Sequence, residues 1–142
     1  MKTHRFELFA DYFQFYIQDD ESSAGDLSEA WTEEAVANKL AVTERAIGIG
    51  TARNMDVCVE LTVSDSPPSI NEVEFDKLNQ ATLSIETGQL VVAGCTDYYP
   101  DAARVKIGVG AYKVIVGYKN LTQISEDELD GNDSYHIWIF PE

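Results

Sequence analysis

The strictest constraint on this chain is a two-residue hydrophobic period. In "MDVCVELTV", Val57, Val59, Leu61 and Val63 alternate with Cys58, Glu60 and Thr62. A strand points successive side chains to opposite faces, so such a run has one face to bury and one to wet. The period recurs along the chain. "RVKIGVGAYKVIVGYKNL" sets Val105, Ile107 and Val109 on the inner face of one strand, and Tyr112, Val114, Val116 and Tyr118 on that of the next. "ATLSIETGQLVVAG" reads as a hairpin turning at Thr87-Gly88, with Leu83, Ile85, Leu90 and Val92 toward the core. "FADYFQFYIQ" sets Phe13, Phe15 and Ile17 against Tyr12, Gln14, Tyr16 and Gln18. The tail "SYHIWIF" is apolar on both faces, which places it well inside a sheet. Seven to nine short strands at spacings of roughly ten residues predict a mainly β fold, an antiparallel two-sheet β-sandwich. No linker or internal repeat interrupts it, so residues 1–142 read as a single sandwich domain.

One segment departs from the period: "DLSEAWTEEAVANKLAVTERAIGIGTARN", residues 26–54. It predicts one short α-helix over about residues 32–40. Thr32 can cap it, with Glu33 and Glu34 in the first turn opposing the positive end of the helix dipole. Trp31 and Val36 have the spacing of a hydrophobic staple, and Val36 and Leu40 can share a buried stripe. Two to three turns are too short to hold in water alone. The segment therefore reads as a plug packed by Trp31 against the β core. Gly48 and Gly50 leave one face of the following strand bare, which a ligand cleft could use but which packing of Trp31 or a tyrosine explains better.

Charge narrows the function. Asp and Glu number 25 against 10 Lys and Arg, a net charge of −15. Such a chain repels phosphate backbones and attracts basic protein surfaces. Acid collects in two loops. One is flexible, over residues 19–26, with Asp19, Asp20, Glu21 and Asp26; the other carries Glu126, Asp127, Glu128 and Asp130. These are the candidate partner contacts.

Other chemistries find little support. Aligning Gly131 with the invariant glycine of a calcium-binding EF-hand loop puts position twelve on Ile137, where a bidentate glutamate is required. A looser calcium site remains if the two acidic loops converge at one end of the sandwich. That gives the alternative function, a module binding calcium or a small ligand through acidic end loops without catalysis. His4 and His136 are isolated, and His136 beside Trp138 reads as structural; no metal site or cofactor is expected. There is no GxSxG, no cysteine paired with a base and no phosphate-cradling loop, so the chain does not read as an enzyme. Cys58 and Cys95 are too few for a disulfide framework, and Cys58 reads as a small packing residue in a reducing cytoplasm. "MKTHRFELFADYF" has no continuous apolar region, and no run approaches the roughly 18 residues of a membrane span.

A resemblance enters through residues 12–64. The aromatic strand "YFQFYIQD", the Trp31-Thr32-Glu33-Glu34-Ala35 helix opening, the "AIGI" strand start and the Arg53-Asn54 pair resemble the competence protein J family of nuclease inhibitors. "GAYKVIVGY", with Tyr112, looks like that family's Gly-x-Tyr strand, while the tail "YHIWIFPE" is similar to the ends of small bacterial immunity-type proteins. The resemblance implies a small cytoplasmic protein that binds and silences a nuclease. Trp31, Thr32, Val36, Arg53, Asn54 and Tyr112 would be structural. The acidic loops would meet the nuclease's basic groove, with association speeded by electrostatic steering.

Overall fold

The computed structural model describes residues 1–142. Ten strands and one α-helix follow in chain order: β1 (Lys2–Phe9), β2 (Gln14–Asp19), α1 (Glu33–Asn38), β3 (Leu40–Val42), β4 (Ala46–Gly50), β5 (Asp56–Val63), β6 (Lys77–Ile85), β7 (Gln89–Gly94), β8 (Ala103–Lys106), β9 (Gly110–Lys119) and β10 (Ser134–Pro141). They form two five-stranded sheets, one in the order β1-β5-β10-β9-β6 and the other β3-β4-β2-β7-β8. The mainly β, two-sheet reading holds. The count exceeds seven to nine because β1 and the three-residue β3 carry no clean alternation. All pairings are antiparallel except β10 with β5, which run parallel.

The inner faces meet in one core of 22 buried residues. It contains Val57, Val59 and Leu61 from β5, Leu83 and Ile85 from β6, Leu90 and Val92 from β7, and Tyr112, Val114, Val116 and Tyr118 from β9. The tail strand β10 is indeed interior: its neighbours are β5 and β9, and it adds Tyr135, Ile137 and Ile139 to the core.

Four local expectations are corrected. The Thr87-Gly88 turn does not close a hairpin, because β6 and β7 lie in different sheets; both faces of the turn still deliver the expected core residues. Its Gly88 takes φ +81, the left-handed conformation that glycine adopts without penalty. Strand β2 begins only at Gln14, since residues 11–13 form a tight turn that carries the chain from β1 in one sheet to β2 in the other. Phe13 therefore points out while Phe15 and Ile17 are fully buried. Val109 likewise lies beyond the end of β8 and is exposed. Cys58 faces solvent on the outer side of β5, so it is not a packing residue, and both cysteines are free.

Helix α1 starts where its cap was expected. The Thr32 hydroxyl accepts a hydrogen bond from the Ala35 amide at 3.1 Å, and Glu33 and Glu34 occupy the first turn. It ends earlier, because Lys39 adopts a left-handed φ of 60° and Leu40 is already strand. Trp31 packs on the bare face of β4: a Cβ at Gly48 would lie 2.7 Å from Trp31 Cζ2. Lys39 covers Gly50 in the same way. The Tyr118 hydroxyl donates to the Lys39 carbonyl, and Asn79 Nδ2 donates to the Asn38 carbonyl at 2.8 Å, tying the helix end to β9 and β6. The plug reading holds for Trp31. The staple and the Val36–Leu40 stripe do not form, because Trp31 turns toward Gly48 and Val36 is left 61% exposed.

Candidate functional site

The two acidic loops lie at opposite ends of the sandwich. Asp19 closes β2 beside Arg45 and Leu90, whereas Phe13 and Gln14 at its other end meet Thr51 and Gly50. The second loop hangs from this far end through Arg53. Five strand steps of about 3.3 Å, roughly 17 Å, separate the two ends. A calcium ion shared between the loops is thereby overturned. No group of three or more His, Cys, Asp or Glu side chains is placed to hold a metal ion.

The first cluster is bound up with its own chain. Asp19 is fully buried, and its carboxylate accepts from the Arg45 guanidinium, the Thr87 hydroxyl (2.6 Å) and the amides of Glu86 (2.9 Å) and Thr87 (3.1 Å). Burial pushes its pKa up, but these donors outweigh burial and hold it below the ordinary carboxylate range. Asp20 accepts from Arg104 Nε at 3.0 Å and the Tyr99 hydroxyl at 2.7 Å, which hold its pKa down. Burial and that same bond push Tyr99 up to about 12. Glu21 shares Arg45 with Asp19 and Glu86. Asp26 is exposed and accepts from the Ser28 amide and hydroxyl. The flexible acidic loop is in fact a fastened seam, and Asp19 offers a partner no surface.

The second cluster is open. Ser125 Oγ donates to Asp127, whose carboxylate also accepts the Leu129 amide at 3.1 Å, and these bonds lower the Asp127 pKa. The Asp130 amide donates to Ser125 Oγ, and the Ser125 amide donates to the Asp130 carbonyl. Glu126, Asp127, Glu128 and Asp130 are all exposed, and none is within salt-bridge reach of a basic side chain.

Arg53 is the root of this loop. Buried at the end of the core, it donates to Asp133 Oδ1 at 2.7 Å, to the Leu129 carbonyl at 3.0 Å and to the Asp56 carbonyl at 3.1 Å. The Tyr135 hydroxyl donates to the other Asp133 oxygen at 2.7 Å and accepts the Ala52 amide. Burial raises the Tyr135 pKa, so the phenol stays protonated as a donor. Asn54 beside it is exposed. The alternation of β10 marked Tyr135 as core, but Asp133 gave no signal in sequence, because its partner lies 80 residues away.

Next to this root runs an open groove of about 510 Å³, lined by Tyr12, Phe13, Trp31, Val36, Lys39 and Ala52 among others. Tyr12 is 69% exposed and Phe13 47%, and both sit in the left-handed region, at φ 58° and 61°. On the far side of the molecule His136 stacks on Trp138 and meets Phe75 edge-on, as a structural residue does. Burial lowers its pKa.

No family model matches the sequence, and no curated protein matches it. Solved structures do share its fold. One is the crystal structure of ComJ, inhibitor of the DNA degrading activity of NucA, from Bacillus subtilis, at a TM-score of 0.73 and 16% identity, covering 100% of this chain and 96% of that one. Another is the crocagin biosynthetic gene J protein, at a TM-score of 0.68 and 15% identity, covering 99% and 97%. The likeness to competence protein J read from residues 12–64 therefore extends, as a shared fold, over the whole chain and includes the tail.

Proposed function

We propose that this chain is a non-catalytic, cytoplasmic inhibitor-type protein that binds a basic nuclease. The observation that carries the reading is the second acidic loop, where four carboxylates stand in solvent without a basic partner on a loop fixed by Arg53. ComJ, an inhibitor of a DNA-degrading activity, supports it through the common fold. A nuclease exposes cations to hold phosphates, and a rigid anionic loop can occupy the same cations with little ordering cost. Among the residues expected to make contact, Glu126, Asp127, Glu128 and Asp130 are assigned the main role, with Glu21 and Asp26 peripheral.

The test is binding and inhibition against nucleases of the native host, starting with any that is encoded beside this protein's gene. A complex that weakens steeply with added salt, and an inhibited nuclease, are expected. An unaffected nuclease, or a complex indifferent to salt, would count decisively against the reading.

A further inference from the structure

We infer that the groove between the residue 11–13 turn and α1 is the docking site for one bulky apolar side chain of a lysine- or arginine-rich protein segment. The inference rests on the proposed basic partner and deepens it by naming the surface.

The turn is the first observation. Tyr12 and Phe13 are consecutive non-glycine residues in the left-handed region, a conformation that L side chains rarely adopt. Asparagine or glycine would suit both positions better, yet two large rings stand there and face solvent. Neither ring belongs to the core. Val36 lines the same groove from α1 and is also exposed, with Trp31, Gly50 and Ala52 completing the lining. Core packing therefore does not explain this patch, and exposed apolar patches of this kind mark interaction surfaces.

Charge selects the occupant. Ala52, in the groove wall, is bonded through Tyr135 to Asp133, and Arg53 holds Leu129 of the acidic loop, so groove and loop share one end of the molecule. Leu129, 53% exposed, stands in the same loop as the four carboxylates. Asp11 opens the turn, and Glu33 lies one helical turn before Val36 on the same face. Against these stands one cation, Lys39, whose stem covers Gly50. A second copy of this chain, itself at −15, would be repelled from such a rim. An apolar anchor flanked by cations satisfies both parts of the surface.

The experiment uses two synthetic lysine-rich peptides, identical except for a central leucine in one and serine in the other. Each is titrated into the isotope-labelled full chain and followed by amide NMR. The leucine peptide is expected to move Tyr12, Phe13, Val36 and Ala52 together with residues 125–130, and to bind roughly tenfold tighter than the serine peptide. The serine peptide should move only the loop. The variant Tyr12→Asn/Phe13→Gly should abolish the difference between the peptides while melting no lower than the parent, because both substitutions suit a left-handed backbone. If both peptides move the loop alone, with equal affinity, the docking site is wrong and the basic-partner reading stands. If neither peptide moves the loop, both fail. Self-association through the groove, seen by sedimentation, or Tyr12→Asn/Phe13→Gly leaving the leucine preference intact, would also overturn the docking site.

Discussion

At the scale of single residues, Arg53 and Asp133 carry the largest stake. Removing one member of a buried pair leaves the other charged and unsolvated, which typically costs about 3–5 kcal/mol. Arg53→Ala is therefore expected to destabilise the fold by that order in chemical denaturation. Asp133→Asn in the same chain should recover part of the loss, since the two sites couple directly. Acid should act through two other groups. His136 is held below its ordinary pKa by burial, with Glu60 pulling weakly the other way. As pH falls below about 6.5, the unfolded chain takes up a proton that folded His136 refuses, so stability declines. Asp19 and Asp20 are held below the carboxylate range; their contribution is complete above about 4 and is lost as pH falls through their folded values. A two-stage acid melting curve is expected, with the upper stage absent in His136→Gln. The sequence marked His136 as structural beside Trp138 but did not reveal the setting of Asp19 and Asp20. "DDE" looks solvated because Arg45, Thr87 and Arg104, which hold it, are 26 to 84 residues away.

At the scale of elements, the strands were legible and their partners were not. Alternation sorted the core faces of β5, β6 and β9, because a half-buried strand must alternate. In β7 it picked out Leu90 and Val92, although Val91 and Ala93 on the other face are buried too. It failed at Phe13, where the tight turn breaks the period, and at Thr87-Gly88, where sequence shows a turn but not which sheet each arm enters. The helix cap was legible because Thr32 acts on an amide three residues away. The staple failed because Trp31 had a better-shaped site in Gly48, and a glycine announces a close approach without naming the visitor. Gly48→Ala tests this contact. Its methyl would force the indole out and cost about 1–3 kcal/mol by overpacking, accompanied by a shift in tryptophan fluorescence. Thr32→Ala, which loses only a cap, should cost about 1 kcal/mol and leave the fluorescence unchanged.

For the whole molecule, charge makes the two acidic loops different objects. Neutralising Glu126, Glu128 and Asp130 to their amides should slow association with a basic partner several-fold at low salt and leave the melting temperature nearly unchanged. Neutralising Asp19 and Asp20 should do the reverse, lowering melting while barely affecting association. Sequence composition alone suggested a basic partner and offered both acidic loops as contacts. Arg45 and Arg104 engage Asp19, Asp20 and Glu21 of the first loop, and no basic side chain reaches the carboxylates of the second. No helix in the chain is long and apolar enough to cross a membrane.

The placement of β10 also fixes the order of events during synthesis. This strand follows every other strand of its sheet in chain order, yet it bridges β5 and β9 at the middle of that sheet. Until residues 134–141 leave the ribosome, that sheet exists only as two unjoined pairs, β1 with β5 and β6 with β9, each with an inner edge bare. Between the completion of β9 and the arrival of β10 the nascent chain therefore carries two open strand edges, on β5 and on β9. Closure then comes in a single late step made of long-range contacts, the kind that form slowly.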